Sequence, residues 1–260
     1  MDCSHWVGKT AAFLGDSITD GVGVHTGERY FDLLVHDVGI EAHGYGVNGA
    51  RFAGLYDQAQ RMAAELGDRV DAVFLFAGTN DFCSGVPMGT WFREADAPVI
   101  CQTNADGVPV VQEMRRHRTV LCDPGTFRGS INRVLDFLKH RYAQKQIVLM
   151  TPIHRAYACF GETNIQFDEH YANARGLYID DYADVVREAS RLWSTELIDM
   201  AQVSGLFPLF DESAVYFANP DLNQPHPDRL HPGKWGHRRM AQVIAAKMQG
   251  IPLFSAVPNE

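Results

Sequence analysis

Short apolar segments alternate with amphipathic helical patterns along this chain, and this alternation is the feature that most constrains its fold. Apolar runs at residues 10–14, 41–47, 70–77, 146–151 and 196–200 have the length of strands. Helical spacing of apolar residues appears around 55–66, 131–138, 177–192 and 240–247. Strands of nearly continuous apolar character that alternate with helices are typical of a parallel sheet covered on both faces. The sequence therefore predicts an α/β fold, a flavodoxin-like three-layer α/β/α sandwich with a five-stranded parallel sheet.

The chain has 260 residues and shows no repeat, low-complexity tract or linker, so we expect a single domain over 1–260. One connection is too long for a minimal sandwich. Residues 82–126 follow the third predicted strand and contain turn signals at 84–87 and 104–107. We expect a hairpin-type insertion with short strands at 108–111 and 119–122, next to the carboxyl edge of the sheet, where open α/β sheets place their active sites. It is predicted to form part of the site's wall or a subunit contact.

Composition narrows the function classes. The formal net charge is −9, and the single basic cluster lies at residues 115–118. This balance argues against nucleic-acid binding and against docking of a polybasic segment on a membrane. The first residues lack the pattern of a secretory signal, and no apolar run approaches the ~20 residues of a membrane span. With five cysteines and no metal-ligand spacing, we expect reduced thiols and a cytoplasmic location.

A candidate nucleophile follows the first predicted strand. Ser17 belongs to the string Gly15-Asp16-Ser17 and precedes a turn into a helix. The carboxyl ends of parallel strands are where open α/β sheets bind ligands, and a helix N-terminus offers N–H groups to a developing oxyanion. A serine hydroxyl also needs a neighbouring base to become nucleophilic. A serine that merely caps a helix is the alternative interpretation.

A candidate base lies near the C-terminus. Asp228 and His231 are three residues apart, so the aspartate can reach imidazole Nδ1 and leave Nε2 free to face a hydroxyl. Pro232 is then expected at the start of the last helix, where its missing N–H is harmless. A surface or helix-capping histidine is the alternative.

Polar groups also follow other strands. Asn80, in the string Gly-Thr-Asn-Asp, comes directly after the third strand, where its side-chain amide can donate to an oxyanion. An Asx-turn that ends the strand is the alternative. Gly46 and Gly49 follow the second strand and permit a close approach of the backbone, or form a plain turn. No G-x-S-x-G string occurs, so the sharp elbow of α/β-hydrolases is not expected.

Two cofactor interpretations find little support. A metal site would draw on His226, His231 and His237 with Asp228, but no HExxH or H-x-H pair is present and prolines interrupt the segment. A dinucleotide site at residues 21–23 lacks the third glycine of the fingerprint. We therefore expect no cofactor and no metal.

Taken together, these strings resemble the SGNH hydrolase superfamily, also called the GDSL esterase/lipase family. Its four sequence blocks occur in order as FLGDSITDG, GYGVNGA, GTND and DRLH. The resemblance implies a strand order of 2-1-3-4-5 and a Ser17–His231–Asp228 triad. It also implies an oxyanion hole formed by the Ser17 amide, Gly46 and the Asn80 side chain, with Gly49 as the alternative glycine. Gly44 departs from the asparagine that many members carry at that place.

The resemblance implies an acyl-enzyme mechanism and a carboxylic-ester substrate. Because residues 82–126 mix charged side chains with Trp91 and Phe92, we expect short-chain esters of carbohydrates, above all acetyl esters. Asp16, Trp91 and Phe92 are the candidate substrate-binding residues, and packing of the two aromatics onto the body or another subunit is the alternative. A homo-oligomer is expected. Alternative functions are a lipase, lysophospholipase or thioesterase of the same superfamily, and a non-enzymatic carbohydrate-binding protein on the same fold.

Overall fold

The computed structural model describes residues 2–254, apart from the side chain of Cys101. Eleven strands occur in this part of the chain: β1 (Thr10–Gly15), β2 (Glu41–Gly44), β3 (Ala72–Phe76), β4 (Phe92–Thr103), β5 (Pro109–Val120), β6 (Gln146–Met150), β7 (Ala158–Cys159), β8 (Ile165–Gln166), β9 (Glu196–Ile198), β10 (Phe217–Asn219) and β11 (Asp228–Pro232). The α-helices are α1 (Ser17–Asp20), α2 (Tyr30–Val38), α3 (Leu55–Leu66), α4 (Thr79–Cys83), α5 (Phe127–Arg141), α6 (Ile179–Leu192), α7 (Met200–Val203), α8 (Asp211–Ala214) and α9 (Lys234–Met248). Short 3₁₀ turns occupy Ser4–Trp6, Phe52–Gly54 and Gly67–Arg69.

The main sheet confirms the predicted fold class. Its five strands lie in the order β2-β1-β3-β6-β9, and every neighbouring pair is parallel. Counted among these five strands, this is the expected order 2-1-3-4-5. Strand β1 sits between β2 and β3, so the turn that follows it emerges beside the tips of both neighbours. Because the strands are parallel, the end of β1 places Ser17 at the carboxyl edge of the sheet, and the central position of β1 places it between its two neighbours.

Two hydrophobic clusters cover the two faces of the sheet. One cluster joins Leu14 and Leu75 to buried residues of α3, α5 and α6. The second joins Phe13 and Phe74 to buried residues of α2 and α9. Alternate residues of each strand point to opposite faces, so β1 and β3 contribute to both clusters. The result is the predicted three-layer sandwich.

A second sheet, which the sequence pattern did not predict, lies beside the main one. It is antiparallel, has the order β10-β11-β7-β8 and contains strands of only two to five residues. The segment that carries Asp228 and His231 is therefore a strand. Pro232 ends this strand and α9 begins at Lys234, so the expectation that Pro232 starts the last helix was wrong.

The insertion after β3 differs from the predicted hairpin. Two short strands were expected at 108–111 and 119–122, but parts of both ranges belong to the single strand β5, which pairs along its length with β4, from Phe92↔Val120 to Thr103↔Pro109. Nearly all of this hairpin is exposed. Within residues 2–254, no helix is long and apolar enough to cross a bilayer.

Candidate active site

Ser17 is held in place by the end of β1 and the start of α1. Asp16 caps the helix, because its side chain accepts a hydrogen bond from the Ile18 amide at 3.0 Å. One residue earlier, the Gln58 side chain of α3 bonds both backbone groups of Gly15, with the two hydrogen bonds at 2.8 Å. The backbone on the N-terminal side of Ser17 is therefore fixed by a buried amide.

His231 connects Ser17 with Asp228. Its Nε2 lies 2.9 Å from Ser17 Oγ, and its Nδ1 lies 2.8 Å from Asp228 Oδ2. The second carboxylate oxygen, Asp228 Oδ1, accepts hydrogen bonds from the backbone amides of Leu230 and His231 at 3.0 and 2.9 Å. Both Asp228 oxygens are thus satisfied, and the imidazole is oriented towards the hydroxyl. This is the hydrogen-bond arrangement of a nucleophile, a base and a carboxylate that orients the base.

The three side chains are withdrawn from solvent. Ser17 is 3% exposed, Asp228 7% and His231 6%. Low exposure strengthens charge-assisted hydrogen bonds and limits competition from water. The ring of Phe160, whose centroid is 5.4 Å from that of His231, covers one side of the imidazole.

Asn80 lies close to Ser17, at the start of α4, and both side chains line the same cavity. Its Nδ2 donates to the Ala50 carbonyl at 3.0 Å. An amide nitrogen carries two hydrogens, so one N–H remains for a ligand in the cavity. The bond to Ala50 also fixes the orientation of the amide.

Of the two candidate glycines for the oxyanion hole, the structure favours Gly49 over Gly46. Gly49 lines the cavity with Ser17, whereas Gly46 is not among its lining residues. A Cβ on Gly46 would lie 2.4 Å from the Asp20 amide nitrogen, so Gly46 serves the packing of α1. Gly49 has φ +76, and the hydrogen bond of its turn runs from the Ala50 amide to the Val47 carbonyl. The Gly49 amide is not used by that turn bond.

The cavity beside Ser17 has a volume of about 290 Å³. Its polar wall consists largely of amide side chains, and its lining residues are Ser17, Val22, Asn48, Gly49, Asn80, Phe160, Asn164, Gln166, Leu230 and His231. The predicted substrate-binding aromatics are elsewhere. Trp91 is buried in the cluster under α5 and α6, and Phe92 packs against the same cluster. The structure therefore does not bring Trp91 and Phe92 to Ser17, and packing onto the body is where it places them.

Two buried carboxyl groups lie beside the site. Burial raises the pKa of Asp16 to about 6, although its bond from Ile18 opposes the shift. Burial also raises the pKa of Asp81 to about 7, against the effect of its bond from the Phe52 amide. Asp81 is the neighbour of Asn80, and its Oδ1 has no hydrogen-bond partner among the described residues. Asp16, proposed from sequence as a substrate-binding residue, is a buried helix cap and is not among the lining residues of the cavity.

The histidines of the metal alternative have separate surroundings. His231 faces Ser17, while His237 is buried and its Nδ1 accepts from the Tyr30 amide at 3.1 Å. Burial lowers the pKa of His237 to about 4. In the described part of the chain, no group of three or more His, Cys, Asp and Glu side chains is arranged to hold a metal ion.

Two parts of the site, Gln58 and the β7–β8 hairpin, were not predicted from the sequence. Gln58 was detectable, because a polar residue interrupts the apolar face of α3 between Leu55 and Ala59. The β7–β8 hairpin brings Phe160 and Gln166 to the cavity. Its strands have two residues each, which is too short for a strand pattern to be recognised in the sequence.

The chain belongs to the GDSL-like lipase/acylhydrolase family, whose sequence model matches residues 13–239. This confirms the resemblance drawn from the four blocks. No curated protein sequence matches the chain significantly.

Solved structures share the fold. A protein from Lactobacillus plantarum is 23% identical, with a TM-score of 0.68, and the match covers 95% of this chain and 99% of that one. A protein described as a possible lipase, from Chitinophaga pinensis, is 17% identical, with a TM-score of 0.62 and coverage of 93% and 98%. An acetyl xylan esterase, AlAXEase, is 19% identical, with a TM-score of 0.56 and coverage of 92% and 98%.

Proposed function

We propose that this protein is a serine esterase that hydrolyses short-chain acyl esters, above all acetyl esters of carbohydrates. The observation that carries the proposal is the continuous hydrogen-bond path from Ser17 Oγ through both nitrogens of His231 to Asp228. Membership of an acylhydrolase family supports the reaction class. The acyl group and the alcohol are inferred from the cavity.

In the proposed reaction, His231 Nε2 takes the Ser17 proton as Oγ attacks the ester carbonyl carbon. Asp228 stabilises the imidazolium that forms and keeps Nε2 directed at the serine. The imidazolium then gives its proton to the leaving alcohol, which leaves Ser17 acylated. A water molecule, deprotonated by the same nitrogen, attacks the acyl-enzyme, and the acid departs as Ser17 regains its proton.

The tetrahedral intermediate needs donors for its oxyanion. We assign this role to the backbone amides of Ser17 and Gly49 and to the Asn80 side chain. Ser17 begins α1, so its amide is one of the N–H groups that have no acceptor within the helix. Gly49 and Asn80 line the same cavity as Ser17. Donors that are already oriented stabilise the transition state more than the ground state.

The cavity supports a small acyl group and a polar alcohol. At about 290 Å³ it is at the lower end of ligand-site volumes, which suits an acetyl group better than a long acyl chain. The amides of Asn48, Asn164 and Gln166 can both donate to and accept from hydroxyls. A ring such as Phe160 offers an apolar face to a sugar.

Hydrolysis rates on 4-nitrophenyl esters from acetate to palmitate, measured beside acetylated xylan oligosaccharides, test this proposal. We expect kcat/KM to fall steeply beyond butyrate and acetate to be released from the oligosaccharides. A maximum at octanoate or longer would favour the lipase alternative. Absence of hydrolysis with every ester would overturn the esterase proposal.

A further inference from the structure

A buried arginine that has no carboxylate partner among residues 2–254 lies close to the cavity beside Ser17. Arg155 follows β6 and is 1% exposed. Its Nη1 contacts Cys83 Sγ, its Nη2 donates to the Phe167 carbonyl at 2.9 Å, and its buried Nε has no hydrogen-bond partner among the described residues. The guanidinium is therefore only partly satisfied by the protein.

The neighbouring acidic group is committed to other partners. Glu169 Oε1 lies 2.6 Å from His154 Nδ1, and Oε2 accepts from the backbone amide of Arg155 at 2.8 Å. Desolvation raises the pKa of the Cys83 thiol, so Cys83 stays neutral and supplies no counter-charge at neutral pH. A guanidinium remains charged in proteins, and burying a charge without an opposite partner is costly. A ligand anion would remove this cost.

Arg155 faces a cavity of its own. This arginine cavity has a volume of about 180 Å³, equal to roughly six water volumes at about 30 Å³ each. Its walls are mostly apolar, and its lining residues are Phe82, Cys83, Arg155, Ile165, Gln166, Phe167, Tyr171, Ala172 and Asn173. A small anion attached to a few carbon atoms matches this combination of volume, apolar wall and buried charge.

The two cavities share their framework. Gln166 lines both of them. Helix α4 also contributes to both, through Asn80 on the side of Ser17 and Cys83, three residues later, on the side of Arg155. The two cavities are therefore adjacent.

We propose that Arg155 binds a carboxylate carried by the ester substrate, so that the enzyme selects anionic esters over neutral ones of the same size. The inference rests on the proposed esterase function and adds the substrate's charge. The carboxylate can come from the acyl group, as in a half-ester of a dicarboxylic acid, or from the alcohol, as in a uronic acid. Both sources present the same group to the guanidinium, which binds carboxylates through its planar fork of donors.

Two matched substrate pairs test the proposal and distinguish the sources. The first pair is 4-nitrophenyl hydrogen succinate and 4-nitrophenyl butyrate, and the second is acetylated galacturonic acid and acetylated galactose. For the wild-type protein we expect kcat/KM to favour the anionic member of one pair roughly tenfold to a hundredfold, mainly through KM, as for a hydrogen bond to a charged group. Equal or lower kcat/KM for both anionic members would overturn the proposal without any variant.

Arg155→Met should reduce that preference at least tenfold, and Arg155→Lys, which retains the charge, should keep part of it. Arg191→Met is the matched control, because it removes one positive charge from an exposed position on α6 and should keep the wild-type preference. An unchanged preference in Arg155→Met, or an equal loss in the control, would contradict the role of Arg155. If the neutral esters are not hydrolysed either, the esterase proposal itself fails, which is a separate result.

Discussion

The catalytic edge, which is the carboxyl edge of the main sheet beside Ser17, and the β4–β5 hairpin differ in how far apart in sequence their contacting residues lie. Ser17 and His231 are 214 residues apart in sequence, yet they meet at 2.9 Å because the turn after β1 of the parallel sheet lies beside β11 of the antiparallel sheet. The hairpin forms from one continuous segment, and in the described part of the chain its strands pair only with each other. The site therefore depends on the whole core, whereas the hairpin depends on local pairing.

The two regions also differ in burial. The side chains of Ser17, His231 and Asp228 are buried and hydrogen-bonded. The hairpin, by contrast, exposes large apolar side chains, namely Ile100, Val108, Val110, Val111 and Met114. Its ion pairs, such as Glu94 with Arg116 and Arg118, are exposed and contribute little to stability. A two-stranded ribbon of this kind is marginal on its own. The comparison predicts that changes at the catalytic edge act strongly on activity and that changes along the hairpin do not.

The largest effect is expected for Ser17→Ala. Loss of the nucleophile should lower kcat by on the order of 10⁴ to 10⁶, because the base then has no hydroxyl to activate. Far-UV circular dichroism and the urea midpoint should stay close to wild type, which separates lost chemistry from lost fold. A purified variant with comparable activity would remove Ser17 from the mechanism.

Asn80→Ala should have the next largest effect. Removal of one oxyanion donor should lower kcat by roughly 10² to 10³ and leave KM nearly unchanged, since the donor acts in the transition state. Steady-state kinetics on 4-nitrophenyl acetate give both constants. A change confined to KM would mean that Asn80 binds the substrate and does not stabilise the oxyanion.

A smaller effect concerns stability and pH. The pKa of Asp81 is raised to about 7 in the folded protein, above the ordinary aspartate value, so its protonated form is favoured by folding. Its stabilising contribution is complete below about pH 4 and is lost as the pH rises towards 7. As the pH rises from about 4 to about 7, the free energy of unfolding of Asp81→Asn should increase relative to that of the wild type by on the order of 2–4 kcal/mol.

Urea denaturation at several pH values measures this difference. The matched control, Asp96→Asn on the exposed hairpin, should change the free energy of unfolding by less than about 0.5 kcal/mol. If the difference in free energy of unfolding between Asp81→Asn and wild type is the same at pH 4 and pH 7, ionisation of the buried Asp81 does not destabilise the fold.

The smallest effect is expected from shortening the hairpin. Arg93 and Thr119 face each other in the ladder, so residues 94–118 can be replaced by an Asn-Gly turn that keeps Trp91 and Phe92. Activity on 4-nitrophenyl acetate should stay within about a factor of two, because the hairpin is not part of the cavity and distant changes act independently. A loss of activity of tenfold or more would mean that the insertion forms part of the site's wall. The elution volume in size-exclusion chromatography, compared with that of the full chain, tests the proposed homo-oligomer separately.

The sequence predicted the parts of the fold with long, continuous patterns. Strands β1, β3 and β6 have no polar interruption that would obscure them, and α3 and α6 have clear apolar faces. The hydrogen-bonded set of Ser17, His231 and Asp228 could be predicted because its members lie in short strings with recognisable chemistry. That these residues meet was implied by the resemblance alone, because Asp228 and His231 lie in the second sheet, which the sequence pattern did not predict.

Other features depend on contacts that no local pattern encodes. The glycine beside Ser17 was predicted as Gly46, but only the structure shows that a Cβ there would meet the backbone of α1, whereas Gly49 reaches the cavity. Trp91 and Phe92 were placed at the site from their aromatic character, which equally suits the core that they join. Strands β7 and β8 contain two residues each, too few for a period of two to be visible.

Covalent labelling tests the central claim most directly. A small fluorophosphonate reacts with a serine only where a base and oxyanion donors activate it. Peptide mass spectrometry should find one adduct, on Ser17 in the peptide that contains Gly15-Asp16-Ser17, formed in step with the loss of esterase activity. His231→Ala should slow the labelling by orders of magnitude. An adduct on a different residue, or complete inactivation while Ser17 stays unmodified, would contradict the assignment of Ser17 as the nucleophile.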